Sequence, residues 1–160
     1  MVTQLLLGET VEIISKDGNW RKIRCTFDDY TGWVDKKQIL PIDDTTFALM
    51  ETKPVDLLTD LVQVAVLGKN EMMPLLIGSH LRNYTGKGFS IGEQQFTFDG
   101  NVNRIAQAAP GNILQNAYMF LNAPYLWGGR SPFGIDCSGF TQLVFKLCGI
   151  SLKRDAYQQA

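Results

Sequence analysis

Cys137 sits where a thiol can do chemistry. The run Ala123-Pro-Tyr-Leu-Trp-Gly-Gly-Arg-Ser-Pro-Phe-Gly-Ile-Asp-Cys-Ser-Gly-Phe140 is a glycine-rich loop leading into a helix that starts at the cysteine. The positive end of a helix dipole favours the thiolate, which is the nucleophilic form. The small residues Ser138 and Gly139 let backbone amides approach a substrate, and with the Cys137 amide they are candidate oxyanion donors. Asp136 can either cap the helix or face a substrate ammonium. Tyr125 supplies a phenol just ahead of the glycine pair. A cysteine nucleophile also needs a base, normally an imidazole. The chain has one histidine, His80, which lies well upstream of the cysteine and reads as a surface or structural residue.

Cys25 and Cys148 read as small buried hydrophobes. Cys137 and Cys148 are eleven residues apart, roughly 16 Å of rise on one helix. A disulfide needs Cα atoms about 6 Å apart, so no disulfide framework is expected. No Cys/His cluster has zinc spacing, and the sequence calls for neither a metal nor a cofactor.

The elements that must position Cys137 follow from periodicity. Phe140, Leu143, Val144 and Leu147 recur at i, i+3, i+4 and i+7, and Gly149 is the stop signal of that helix. Upstream, Asn112 opens a second helical stretch, with Ile113, Leu114, Ala117, Tyr118 and Leu121 on one face and Pro124 after it. Residues 1–42 read as short strands, Val11 to Ile14, Trp20 to Cys25 and Tyr30 to Val34, with a turn at Lys16-Asp-Gly-Asn19. Residues 43–104 read as a second all-β unit. Its strands are expected at Phe47 to Met50, Val62 to Leu67 and Glu93 to Phe98, with Pro54 and Pro74 at loops or edges. Residues 56–67 leave a helical turn open as an alternative.

Composition sets the limits. The 160 residues are 45% hydrophobic and 19% charged, with a formal net charge of −1, as in an ordinary globular chain. Basic residues are scattered, so no nucleic-acid or anionic-membrane footprint is present. No apolar run is long enough to span a bilayer. The N-terminus lacks the charge and length of a signal peptide, and the compartment stays open, envelope or cytoplasm.

Pro124-Tyr-Leu-Trp-Gly-Gly129, Asp136-Cys-Ser-Gly-Phe140 and Leu152-Lys-Arg-Asp155 together resemble the NlpC-type cell-wall peptidases, papain-like cysteine hydrolases of bacterial peptidoglycan. Residues 2–9, Asn19 to Ile23 and Asp29 to Val34 resemble the subgroup with two bacterial SH3-like domains ahead of the catalytic one. The resemblance implies an α+β chain of two small SH3-like barrels, at 1–42 and 43–104, followed by the N-terminal helical part of a papain-like domain at 105–160. It implies hydrolysis of the γ-D-glutamyl to diamino acid bond of stem peptides, with Cys137 as nucleophile. Tyr125, Asp136, Ser138 and Tyr30 match residues lining the acceptor for the peptide's amino end.

The resemblance also implies that the chain is clipped at both ends. The family's catalytic histidine and its orienting residue follow the cysteine at a distance beyond Ala160, and the opening strand of the first SH3-like unit precedes Val2. On this reading the 160 residues alone are inactive. The apolar stripe of the Cys137 helix is left in water, to be covered by a partner chain or a neighbouring SH3-like unit. Two further functions remain open: a wall-peptide binding module without turnover, and acyl transfer on the same papain-like core.

Overall fold

A computed structural model describes residues 1–104 and 112–160. Among the described residues the fold is mixed, with four α-helices and small antiparallel sheets, as the α+β reading requires. β1 (Val11–Asp17), β2 (Trp20–Cys25) and β3 (Thr31–Asp35) form a meander. Gly18, at φ +53, turns the first hairpin, and a bulge between Ile13 and Ser15 bends β1. Among the described residues this sheet stays an open three-stranded ribbon instead of closing into a barrel.

The next unit opens with a helix where strand was expected. α1 (Asp44–Thr52) covers Phe47 to Met50. Asp43 decides the matter: its carboxylate accepts from the Thr46 amide and hydroxyl, both at 2.8 Å. That satisfies an orphan donor of the first turn. β4 (Asp56–Leu58) and β5 (Val62–Leu67) follow, joined by a bend at Asp60 and Leu61, so residues 56–67 hold two strands and no helical turn. β6 (Glu71–Leu76), β7 (His80–Leu81), β8 (Gly88–Ile91), β9 (Gln94–Thr97) and β10 (Val102–Arg104) complete two sheets, ordered β6-β5-β9-β8 and β10-β4-β7. Pro74 lies in β6, an edge strand, where a missing N–H costs no ladder bond. Leu58, Ala65, Leu75, Leu81, Phe89, Phe96 and Phe98 fill the space between them.

α2 (Ile113–Tyr118) starts after Asn112, whose side chain makes no capping bond. Its expected face divides. Ile113 and Ala117 pack on the core, whereas Leu114, Tyr118 and Leu121 are exposed. Two short strands, β11 (Arg130–Ser131) and β12 (Gly134–Ile135), then lead into α3 (Cys137–Leu147) and α4 (Ala156–Gln159). Gly149, at φ +76, ends α3. Its N–H bonds to Lys146 and that of Ile150 to Phe145, a Schellman closure.

The apolar stripe of α3 is not in water. Leu143, Val144 and Leu147 are buried, with Phe140 against them, under Leu6, Leu57, Ile77, Phe120 and Ile135. Leu6 from 1–42 and Leu57 and Ile77 from 43–104 supply part of the cover, so of the two expected sources, a partner chain or a neighbouring unit of the same chain, the structure shows the second. Each such side chain contributes about 1.5–3 kcal/mol on burial. The fit is close: a Cβ on Gly78 would lie 2.4 Å from a Leu143 methyl.

Candidate active site

Cys137 is the first residue of α3 and is the exposed member of the three free cysteines. Cys25 and Cys148 are buried, as small hydrophobes should be. Burial pushes the Cys25 thiol up to about 12, and Cys148 Sγ accepts from Asn116 at 3.2 Å. Asp136 is the N-cap of α3, its Oδ1 taking the Gly139 amide at 2.6 Å. Gly139 is therefore not free to serve an oxyanion. The amides of Cys137 and Ser138 remain, since first-turn N–H groups have no partner within a helix.

The glycine loop is held by the same carboxylate. Gly128, at φ +78, donates its amide to Asp136 Oδ2 at 2.9 Å. A side chain on Gly139 would collide with the Gly129 carbonyl, 2.3 Å from the Cβ position, so loop and helix touch through backbone alone. Tyr125 bridges Ile135 through its backbone and leaves its side chain exposed, one strand position from Asp136.

Arg154 is the residue that motif reading quoted and gave no role. It is 1% exposed. Its Nη1 donates to Asp136 Oδ1 at 3.1 Å and to Ser138 Oγ at 2.8 Å. Its Nη2 donates to Asp136 Oδ2 at 2.8 Å, and its Nε to Thr3 Oγ1 at 2.9 Å. Burial works against the ionised Asp136. Arg154 and the amides of Gly139 and Gly128 outweigh it and hold the carboxyl below its ordinary range. Of the two roles left open for Asp136, the structure displays the cap.

Tyr30 reaches the same region by a separate route. Asp28 accepts from the Tyr30 amide at 3.0 Å and from Gln142 of α3 at 2.9 Å, and Lys153 donates to the Asp28 carbonyl at 3.2 Å. Lys153 also pairs with Asp29. These bonds carry the Tyr30 turn to residues 152–157, where burial and the Asp155 carboxylate raise its phenol above the usual value.

His80 is not brought to the thiol. It is buried in β7 beside Glu9 and Lys146, near the far end of α3, with no hydrogen-bond partner on either ring nitrogen. Lys146 lies nine residues beyond Cys137, about 14 Å of helix rise. Burial, then the Lys146 charge, push the imidazole well below its ordinary range. The surface alternative for this histidine is thereby corrected. Around it stands a second cluster that sequence reasoning missed. Glu9 accepts from Lys146 at 2.7 Å and from Arg130 at 2.9 and 3.0 Å. Burial opposes the Glu9 charge, yet the two cations hold it well below the carboxylate range, while burial brings Lys146 down to about 8. Among the described residues no group of His, Cys, Asp or Glu is placed to hold a metal ion. No described helix is long and apolar enough to cross a membrane.

Comparison with known proteins agrees with this layout. Residues 1–39 match the bacterial dipeptidyl-peptidase SH3 domain and residues 122–160 match the NlpC/P60 family. A γ-D-glutamyl-L-lysine dipeptidyl-peptidase of Bacillus subtilis is 32% identical over 172 residues, covering 99% of this chain and 57% of the relative. Its counterpart from Bacillus cereus is 29% identical, with 99% and 54% covered. The chain thus spans about half the length of these relatives. The crystal structure of an NlpC/P60 family protein from Bacillus cereus superposes with a TM-score of 0.81 at 27% identity, over 99% of this chain and 58% of that one. The matches fall in the order of the chain: residues 1–39, which are strapped to α3, are similar to the bacterial dipeptidyl-peptidase SH3 domain, and residues 122–160, which carry the exposed cysteine behind the glycine loop, are similar to the NlpC/P60 family.

Proposed function

We propose that this chain is part of a cysteine endopeptidase that hydrolyses the γ-D-glutamyl to diamino acid bond of peptidoglycan stem peptides, with Cys137 as nucleophile. The observation that carries this reading is the exposure of Cys137 at the start of α3 while Cys25 and Cys148 are buried. The names of the Bacillus relatives support the bond cleaved. In this reading residues 1–42 and 43–104 are SH3-like units framing the site and residues 105–160 carry the nucleophile. Thiolate attack on the γ-carbonyl forms a tetrahedral oxyanion that the Cys137 and Ser138 amides face. Collapse expels the amine of the diamino acid, which must receive a proton, and water then releases the acyl group.

Tyr125 and Tyr30 contribute phenols to the acceptor for the free amino end of the peptide. Ser138 and the Asp136 carboxylate, which Arg154 shares, form its base as polar acceptors. Because Arg154 already shares the Asp136 carboxylate, the preference for a free amine draws on all four residues. A peptide acetylated at its amino end should be cleaved at least about tenfold more slowly, the worth of one charge-assisted contact. Equal rates would remove these residues from substrate recognition.

The proton-transfer partner of Cys137 is assigned to a histidine outside these 160 residues, because His80 is enclosed near the other end of α3. The chain alone then behaves as a peptide-binding unit. Purified 1–160 should leave L-Ala-γ-D-Glu-L-Lys intact. Supplying a histidine-bearing C-terminal segment, in cis or as a separate chain, should start cleavage. Cys137→Ser should abolish that cleavage and Cys25→Ser should spare it. Turnover by the 160 residues that disappears in His80→Ala would overturn the assignment.

A further inference from the structure

We propose that Arg154 is the positioning residue of the nucleophile. It cancels the Asp136 charge next to the Cys137 thiol and fixes the residues on both sides of that thiol. The inference rests on Cys137 being the nucleophile and adds a device that the family matches do not assign.

The start of α3 contains a conflict. The helix needs an acceptor at its N-cap, and Asp136 supplies one to Gly139. A carboxylate there also places a full negative charge beside a sulfur that must itself become an anion. The charge works against the helix dipole, which favours the thiolate. Arg154 removes the conflict by taking both carboxylate oxygens, at 3.1 and 2.8 Å, from a position 1% exposed. Its Nη1 simultaneously holds Ser138 Oγ at 2.8 Å, so the residues before and after Cys137 hang on one rigid fork. Thr3 holds the fork from behind at 2.9 Å, which sets its plane. Gln159 takes the Ser138 carbonyl at 3.1 Å and keeps the following helix against the same turn.

Lysine cannot reproduce this. A single ammonium is a point donor and cannot span two carboxylate oxygens, a hydroxyl and Thr3 together. The effect of Arg154 on the thiol must also pass through Asp136, which gives the inference a sign that simple folding damage lacks.

The experiment is iodoacetamide alkylation of the intact 160-residue chain across a range of pH, with the label located by mass spectrometry. The buried Cys25 and Cys148 serve as internal controls. Arg154→Gln should slow labelling of Cys137 at neutral pH by about tenfold, equivalent to a one-unit displacement of the profile toward alkaline pH. Arg154→Lys should fall between the two. Asp136→Asn should speed labelling, and the double variant should follow Asp136→Asn. An unchanged profile in folded Arg154→Lys, or slowing in the double variant equal to that in Arg154→Gln, would overturn the role. Should Arg154→Gln fail to fold, Arg154→Lys and Thr3→Val carry the test, with the Thr3 variant expected to give the smaller slowing. Labelling that spares Cys137 in the unaltered chain would instead remove the nucleophile assignment, a separate failure from that of Arg154.

Discussion

The two ends of α3 each bury a carboxylate against an arginine, and they do so for different ends. At the start, Asp136 meets Arg154, one acid against one base, with Gly128, Gly139 and Ser138 completing the bonds. The thiol stands in the open beside it. At the far end Glu9 faces Arg130 and Lys146, one acid against two bases, with the Phe27 ring 4.7 Å from the lysine nitrogen and 5.8 Å from the guanidinium. The imidazole beside it is enclosed and unpartnered. The first cluster pairs one carboxylate with one guanidinium and leaves the neighbouring thiol exposed. The second sets Glu9 directly against two cations, with the Asp28 carboxylate facing both from further off, and joins three segments of chain. Ionic similarity therefore does not make two sites alike: the count of charges and the access of solvent separate a chemical site from a structural joint.

The largest effect that tests this contrast is Glu9→Gln. It leaves two buried cations without their counter-charge, and breaking a buried pair in this way costs about 3–5 kcal/mol. Urea denaturation should show that loss, while whatever folds keeps the wild-type alkylation rate at Cys137. A slowed thiol in the folded fraction would merge the two clusters into one functional unit.

His80 gives an intermediate effect with a defined sign. Its folded value is depressed, by burial first and then by the Lys146, Arg82 and Arg130 charges, with Glu9 opposing. Below its ordinary value of 6.5 the unfolded chain takes up a proton that the folded one refuses. Stability is therefore complete above pH 6.5 and falls as the pH drops, by up to about 1.4 kcal/mol per unit. His80→Leu should match or exceed the wild type at pH 7.5, because neither ring nitrogen has a partner to lose. Its stability should be flat between pH 6.5 and 5, and a slope equal to that of the wild type would place the acid response elsewhere. Glu9 and Asp136, both depressed, add their own losses at lower pH.

The smallest effect should come from Lys153→Ala. Its pairing with Asp29 is solvent-exposed, and exposed pairs are screened and contribute little. The denaturation midpoint should stay within the range of ordinary surface changes. A large shift would mean that its bond to the Asp28 carbonyl, and so the placement of Tyr30, matters more than its charge.

What could be read in advance divides along the same line. The spacing of Phe140, Leu143, Val144 and Leu147, the cap at Asp136 and the stop at Gly149 are local signals, and α3 follows them. The place of Cys137 at the start of α3 is legible because a helix start behind a glycine loop is also local. Arg154 was present in a quoted motif, but its role depends on Asp136, 18 residues back, and on Thr3, 151 residues back. No periodicity encodes such pairings. Glu9, Arg130 and Lys146 were hidden for the same reason. The α1 helix was missed although its signal was local. Asp43 with Thr46 is a capping pair, and the apolar residues after it drew the reading toward strand. Leu114 and Tyr118 obey helical spacing and still face solvent, because the side of α2 that meets the core is the one carrying Ile113 and Ala117; Leu121 lies beyond the end of α2.

The first nine residues have a consequence for any attempt to exchange parts. Gln4 receives the Arg130 amide at 2.6 Å and its guanidinium at 2.8 Å, Thr3 receives Arg154, Glu9 receives Lys146, and Leu6 lies in the core beneath α3. A segment more than a hundred residues away in sequence thus supplies the inner wall of the helix that carries Cys137. Grafting a different N-terminal domain onto the cysteine-bearing part would strip the acceptors from two arginines and a lysine at once. Chimeras should be joined downstream of residue 9, with the native strap retained, and the parent chain should melt as a single cooperative block.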